Sequence, residues 1–164
     1  MRKKDSKFQL RFDPSEIGGL AKRYLDPDGE AFRAGKLIVD GHRSLSTLRI
    51  IFRWKTGGRG QSRLAKNTQE EIKKALTIAV EAPSEQVAMG ALCELHGVDV
   101  PVASAILTAI NPDRYTVIDF RALESLGVKR SYLSVDFYLT YLNACRDLAL
   151  QHAVTLRTLD QALW

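Results

Sequence analysis

Apolar residues recur every three or four positions along most of this 164-residue chain, which is the spacing that places them on one face of an α-helix. The run Leu45, Leu48, Ile51 and Phe52 forms one such face. No segment alternates apolar and polar residues for long enough to require a strand. The pattern predicts an all-α fold, with further apolar faces at Ile72, Leu76 and Ala79, at Val87, Leu92 and Leu95, and at Val102, Ala105, Ile106 and Ala109.

Residues that favour helix starts stand between these apolar faces. Asp13 precedes a proline, which suits the first turn of a helix, and Thr68 with Glu71 has the spacing of a capping box. Residues 1–12 are charged and show no periodicity, so we expect a flexible basic arm there. Residues 13–164 are then expected to form a single compact helical domain, long enough for two lobes that share a cleft.

A tight turn joins two predicted helices within residues 85–110. The first helix leads into His96-Gly97-Val98-Asp99, and the second begins near Pro101. The first N–H groups of a helix have no partner inside it and lie at the positive end of its dipole, so they can bind a phosphate. We therefore expect contacts to a phosphate backbone at Gly97, Val98, Asp99 and Val102.

The charges are distributed unevenly along the chain. Residues 1–67 hold 16 Lys and Arg against 7 Asp and Glu, a net +9, whereas residues 68–164 hold 8 against 12, a net −4. A cationic half suits a polyanion, because each Lys or Arg beside a phosphate releases condensed counterions. A solvated basic surface is the alternative. Arg59 and Arg63, in a glycine-containing stretch, are candidates for contacts to the backbone of such a polyanion.

Several classes of protein are disfavoured by what the chain lacks. Cys93 and Cys145 are the two cysteines, 52 positions apart, so they indicate neither a disulfide framework nor a metal site. No run approaches the roughly 20 apolar residues of a membrane helix, and the start lacks the apolar stretch of a signal peptide. We expect a cytoplasmic monomer that needs no metal, no small-molecule cofactor and no membrane.

The stretch from residue 91 to residue 121 resembles the helix-hairpin-helix DNA glycosylases, the superfamily that includes endonuclease III and the adenine-mismatch glycosylases. The chain reads Leu-His-Gly-Val-Asp-Val-Pro-Val-Ala-Ser-Ala-Ile-Leu from Leu95, then Asn111-Pro112, then Val117-Ile118-Asp119. Counted from Gly97, Asp119 stands 22 residues later, where the family has its catalytic aspartate. The resemblance implies a two-lobed fold, double-stranded DNA as partner, and extrusion of a damaged or mismatched base into a cleft.

Three departures from the family pattern affect what the resemblance implies. Asp99 replaces the second glycine of the hairpin, and its carboxylate would repel a phosphate. Pro101 stands where members that also cleave the strand carry a Lys nucleophile, so the resemblance implies a monofunctional glycosylase in which water attacks. The family's iron–sulfur cluster is not expected, because two distant cysteines cannot supply four ligands.

A base that is flipped out of the helix needs an apolar face to stack on and polar groups that read its edge. The sequence offers Trp54, Lys55, Tyr115 and Arg121 as lining for such a pocket, although core packing is the alternative for the aromatic residues. Asp119 would stabilise the sugar cation and orient the water. Asp119 also stands where a helix begins, so a helix cap is the other interpretation, and both roles are compatible.

Two other functions remain open at this point. A non-catalytic helix-hairpin-helix module would bind DNA and release no base, with Asp119 as a cap, and Asp99 and Pro101 favour it. An unrelated helical interaction domain would show no affinity for DNA.

Overall fold

A computed structural model of the chain describes residues 7–24, 29–129 and 132–164. Every regular element in these ranges is helical, so the all-α prediction is confirmed. A short 3-10 turn at Pro14–Glu16 comes first. The α-helices that follow are α1 (Ile17–Arg23), α2 (Gly29–Val39), α3 (Leu45–Thr56), α4 (Gln61–Leu64), α5 (Gln69–Glu81), α6 (Glu85–Cys93), α7 (Val100–Ile110), α8 (Phe120–Ser125), α9 (Val135–Gln151) and α10 (Leu156–Leu163).

Side-chain caps define where several of these helices begin. The Thr68 hydroxyl accepts the backbone N–H of Glu71, and the Glu71 carboxylate accepts the N–H of Thr68, so both halves of the predicted capping box are present. Asp13 accepts the N–H of Ser15 at the start of the 3-10 turn. Local sequence therefore sets these helix starts directly, because each cap satisfies an N–H that the helix itself leaves unpaired.

The N-terminal segment differs from its prediction. Residues 1–6 of the expected arm lie outside the described residues, but residues 7–12 pack against the domain. Phe8 is only 3% exposed, and the Gln9 N–H donates to the carbonyl of Leu126 at 3.0 Å. Residues 7–12 are therefore not a loose arm. Burial of the Phe8 ring stabilises their packing by more than the solvation of their charged side chains opposes it.

Helix α7 lies at the centre of the core and packs against α2, α3 and α6. Its residues from Val102 to Ala109 are all buried. Gly35 of α2 allows the two helices to touch backbone to backbone, since a Cβ atom at that position would lie 1.9 Å from the carbonyl oxygen of Ala109. The second helix of the predicted hairpin is thus buried along most of its length.

The turn between α6 and α7 is held in place by α4 and the residues after it. Gly97 has a left-handed φ of 81°, and a Cβ atom there would lie 2.9 Å from the backbone nitrogen of Leu64. The Asn67 side chain bonds both backbone groups of His96, donating to its carbonyl at 3.0 Å and accepting its N–H at 2.8 Å. Sequence reasoning did not single out Asn67, which joins two elements 29 residues apart.

No helix within the described ranges has the length and apolar character needed to span a membrane.

Candidate functional site

A cavity of about 500 Å³ opens between the end of α3, the first turns of α7 and α8, and the C-terminal helix α10. Its lining includes the rings of Trp54 and Trp164, the ammonium of Lys55, the carboxylate of Asp119 and the guanidinium of Arg157. Small-molecule sites typically enclose about 300–1,000 Å³ and combine apolar walls with a few polar groups. The cavity therefore has the size and the mixed lining of a binding site.

Asp119 caps a helix and lines the cavity at the same time. One carboxylate oxygen, Oδ1, accepts the backbone N–H of Ala122 at 2.9 Å and so caps α8. The other, Oδ2, lies 3.6 Å from the Nζ of Lys55. The Asp119 side chain is 15% exposed, so it is largely withdrawn from solvent while remaining part of the cavity wall. The two interpretations of this residue from sequence are both compatible with its geometry.

Lys55 and Trp54 reach the cavity from the last turn of α3. Gly57 caps the C-terminus of this helix in a left-handed conformation. The Lys55 side chain is 14% exposed. The indole N–H of Trp54 is buried and has no acceptor among the described residues. Trp54 therefore offers the cavity an apolar ring and no accessible hydrogen bond.

The phosphate site predicted at the hairpin is partly filled by the chain itself. The Asp99 carboxylate accepts the N–H of Val102 at 3.1 Å and caps α7, and the Val98 N–H donates to the carbonyl of Leu95 at 3.2 Å. Two of the predicted phosphate donors are thus engaged inside the protein, which corrects that part of the prediction. The physical reason is that an Asp at the N-cap supplies the anion that the helix start would otherwise accept from outside.

The basic candidates lie in two different places. Arg59 is exposed and lines the cavity, with its Nε donating to the carbonyl of Thr56 at 3.3 Å. Arg63 is exposed on α4 and lies against the hairpin, since its Cβ is 3.2 Å from the point that a Cβ atom on Gly97 would occupy. Arg63 is therefore a neighbour of the turn on its α4 side, whereas the residue that caps α7 is the anionic Asp99.

Tyr115 and Arg121, both predicted to line the base pocket, have different outcomes. Tyr115 is buried and is not part of the cavity wall, so its assignment to the pocket is wrong. The reason is that the segment after α7 turns its aromatic ring toward the core, with the Arg114 guanidinium 5.4 Å from the ring centroid. Arg121 is exposed, lines the cavity and stacks over Trp164 with 4.3 Å to the ring centroid.

Sequence reasoning did not predict the ion pair of Arg157 with Asp160, which stand three positions apart on α10 and both line the cavity. The Arg157 guanidinium also lies 5.2 Å from the ring centroid of Tyr24, 5.1 Å from that of Phe32 and 5.7 Å from that of Trp54.

Burial raises the pKa of the Asp160 carboxyl to about 6, with Asp119 adding to the rise and Arg157 opposing it. One signal could have been noticed, because Asp160 lies on the same face of α10 as Leu156, Leu159 and Leu163, and an acid on an apolar face needs a partner.

Buried hydrogen bonds from α7 and α9 hold the segment that precedes Asp119 in place. Tyr138 donates to the carbonyl of Thr116 at 2.9 Å, and Tyr141 donates to that of Val117 at 2.8 Å. The Ile118 N–H donates to the hydroxyl of a buried serine on α7 at 3.0 Å. Burial raises the pKa of both tyrosines well above the usual value, so their phenols remain donors. Asp119 is thereby held at the cavity wall by the core.

The described residues contain no cluster of three or more His, Cys, Asp or Glu side chains that could hold a metal ion. Cys145 is buried and Cys93 is half-buried, and burial raises the pKa of the Cys93 thiol to about 11. A thiol with a raised pKa is a poor nucleophile and a poor metal ligand. Neither cysteine lines the cavity.

Comparison of the chain with protein-family models, with curated proteins and with solved structures finds no match.

Proposed function

We propose that this chain is a monofunctional DNA N-glycosylase with a two-lobed helix-hairpin-helix fold, which removes a damaged or mismatched base from double-stranded DNA. The observation that carries the proposal is the position of Asp119, whose carboxylate lines a cavity of about 500 Å³ beside the ring of Trp54. An extruded base needs a concave site with an aromatic wall, and the sugar behind it needs an anion. The Trp54 ring is proposed to stack on the base, and the Asp119 carboxylate is proposed to face the sugar.

In the proposed reaction the N-glycosidic bond breaks and the base leaves with the bonding electrons, so positive charge develops on the sugar. An anion about 4 Å from that charge contributes on the order of 4 kcal/mol at an effective dielectric near 20, which corresponds to roughly a thousandfold in rate. Asp119 supplies this charge and orients a water molecule. The water oxygen then adds to the sugar carbon and its proton passes to the carboxylate.

Lys55 is proposed to position Asp119. Its ammonium lies 3.6 Å from one carboxylate oxygen, and its side chain is largely withdrawn from water. This ion pair holds one carboxylate oxygen in place while the other oxygen caps α8. Lys55 therefore fixes the orientation of the group that is proposed to face the sugar.

The DNA backbone is proposed to follow the exposed cations around the cavity. Arg59 and Arg121 line its wall, and Arg63 lies beside the hairpin turn. Contacts of this kind give affinity that depends strongly on salt and little on sequence. They would hold the duplex while one nucleotide turns toward Asp119.

A second candidate function is a DNA-binding module that does not release bases. The observation that favours it is Asp99, whose carboxylate takes the N–H of Val102 at the start of α7 and so places a negative charge where a phosphate would lie. Weaker binding of the DNA strand at this point would lower the rate of any reaction in the cavity.

The experiment that separates these functions compares two aspartates with matched structural roles. Asp119 and Asp99 each cap a helix through Oδ1, each accepts the N–H three residues further on, and each lines the cavity. Asn caps a helix as well as Asp does, so Asp119→Asn and Asp99→Asn should both fold. Duplexes that carry single damaged or mismatched bases would be incubated with each protein and then cleaved with alkali.

We expect base release by the wild type, a loss of roughly a thousandfold in Asp119→Asn, and activity in Asp99→Asn that equals or exceeds that of the wild type. Equal activity of the wild type and Asp119→Asn on a cleaved substrate would reject the role of Asp119. Salt-dependent binding without release from any duplex would establish the non-catalytic module instead.

A further inference from the structure

The exposed aromatic side chains of the described residues lie in the cavity wall or next to it in the chain. Phe120 is 51% exposed and Trp164 is 49% exposed, and both line the cavity. Tyr132, which is 90% exposed, directly precedes Leu133 of the cavity wall. Single exposed apolar residues are normal on a protein, whereas several at the edge of one concave site indicate a binding surface.

Arg121 connects the two rings of the cavity wall. Its guanidinium lies 5.8 Å from the ring centroid of Phe120 and 4.3 Å from that of Trp164. The Trp164 ring also meets the ring of Tyr24 edge to face, with the centroids 5.3 Å apart. Contacts with two neighbours orient the Trp164 ring before a ligand arrives, which lowers the entropy cost of binding. Phe120, Arg121 and Trp164 are called the rim cluster below.

The exposed charges beside these rings favour an anionic partner. Arg121 donates no hydrogen bond and forms no ion pair within the described ranges, and Arg59 is a second exposed cation of the wall. Asp99, an exposed anion of the same wall, uses one carboxylate oxygen to cap α7. The less exposed acids of the wall are matched by Lys55 and Arg157 in ion pairs. The cations at the edge of the cavity therefore outnumber the anions there.

Exposed rings beside unpaired cations suit a nucleic-acid strand whose bases are unpaired. In a paired duplex the bases are stacked on one another, so a ring on the protein surface meets no free base face. An unpaired base offers such a face, and stacking on an aromatic side chain tolerates any sequence because every base has one. The phosphates of the same strand are bound by Arg at a neighbouring position. The rim cluster contains both kinds of group within 6 Å of each other.

We propose that the rim cluster binds the unpaired bases of a DNA strand, so that the protein favours DNA whose strands are locally separated over fully paired DNA. The bases in question lie outside the cavity. The inference rests on DNA as the partner, which the proposed function also requires, but it does not depend on the release of a base.

The test measures affinity for four undamaged probes of one sequence. Two are duplexes, one fully paired and one with a central run of mismatches that stays open. Two are single strands, one natural and one in which abasic nucleotides replace the bases. The members of each pair carry the same phosphate charge and differ in the base faces that they expose. Fluorescence anisotropy at one salt concentration gives the Kd of each probe.

The variants for this test remove one ring at a time. Phe120→Leu and Trp164→Leu keep an apolar side chain, and both positions are half-exposed, so we expect both variants to fold. Leu150→Ala is the matched control, because Leu150 is 83% exposed on α9 and does not line the cavity.

We expect the wild type to bind the open duplex more tightly than the paired duplex, and the natural single strand more tightly than the abasic one. Stacking of one base on an aromatic side chain corresponds to about 5- to 100-fold in affinity. Phe120→Leu and Trp164→Leu should each lose affinity within this range for the open duplex and the natural strand, and little for the paired duplex and the abasic strand. Leu150→Ala should match the wild type on every probe.

Three results would overturn the inference. The first is equal wild-type affinity within either pair of probes, and this comparison decides the point even if a ring variant does not fold. The second is ring variants that behave like Leu150→Ala. The third is a dimer of the wild type, measured by sedimentation, that both ring variants lose, because the rings would then belong to contacts between copies of the chain. Since no probe contains a damaged base, failure of this inference leaves the glycosylase function standing, and absence of base release leaves this inference standing.

Discussion

Arg157 and Asp160 form an ion pair one helical turn apart on α10, with the carboxylate turned into the protein and only 5% of the residue exposed. Burial disfavours the charged form of Asp160, and the nearby Asp119 carboxylate disfavours it further. The ionisation of Asp160 in the cavity wall therefore affects the free energy of unfolding.

The raised pKa of Asp160 makes the free energy of unfolding depend on pH. The ordinary pKa of an Asp is 3.8, and that of Asp160 in the folded chain is about 6. Between these values the folded chain keeps a proton that the unfolded chain has released, so the free energy of unfolding decreases as pH rises through the window. Two pKa units correspond to about 3 kcal/mol. Asp160→Asn should remove this contribution, while Arg157 keeps access to water in the cavity.

Urea unfolding of both proteins at several pH values between 4 and 7.5 measures the difference. The variant should gain stability relative to the wild type as pH rises, by up to about 3 kcal/mol. Parallel profiles for the two proteins would show that Asp160 does not titrate in this window.

The hairpin turn gives a prediction about backbone conformation. Gly97→Ala places a side chain at a φ of 81° and 2.9 Å from the backbone of Leu64, so we expect a loss of about 1–3 kcal/mol. Gly90→Ala is the matched control, because Gly90 lies within α6 with nothing within 4 Å of its Cβ position and should gain up to about 1 kcal/mol. Thermal unfolding of the two variants compares them, and equal effects would argue against a strained turn.

The monofunctional assignment can be examined by borohydride trapping. Pro101 carries no amine, and the Lys55 amine is held in an ion pair 3.6 Å from Asp119. A Schiff base requires an amine with a lone pair, which an ammonium lacks. With a duplex that contains an abasic site, we expect no covalent protein–DNA adduct at pH 7. An adduct that forms with the wild type and disappears in Lys55→Gln would make Lys55 a nucleophile and would contradict the proposed monofunctional reaction.

The cation beside the hairpin predicts a change in salt dependence. Arg63→Ala should reduce the slope of log affinity against log salt concentration by about one, since one phosphate contact is lost. Lys73→Ala is the control, because Lys73 is an exposed cation on α5 that does not line the cavity. Fluorescence anisotropy at three salt concentrations measures both slopes. Identical slopes for Arg63→Ala and the wild type would remove Arg63 from the DNA surface.

The parts of the fold that sequence predicted well depend on local interactions. The helix starts at Asp13 and at Thr68 follow from hydrogen bonds within three residues, and such bonds form wherever the same residues occur. The apolar spacing of α3 and α7 likewise reports which side of each helix is buried. These features could be read without knowledge of the partner elements.

The parts that sequence reasoning missed depend on distant contacts. Arg157 and Asp160 meet Trp54 and Asp119 only after α10 has packed beside the cavity, and no local pattern records that arrangement. Tyr115 stands four residues before Asp119 in the chain, but its ring is buried in the core and does not line the cavity. Proximity in sequence is a weak guide to which side chains share a cavity.

The backbone contact between Gly35 and Ala109 has a consequence for how a nucleotide could enter. Helix α2 leads through the next loop into α3, which supplies Trp54, while α7 supports the segment that ends at Asp119. Since α2 and α7 already touch at their main chains, they have no room to approach one another further. The cavity should therefore keep its shape when it is empty. In the reaction that we propose, the free-energy cost of admitting a base would then come from distortion of the duplex and not from closure of the protein around the base.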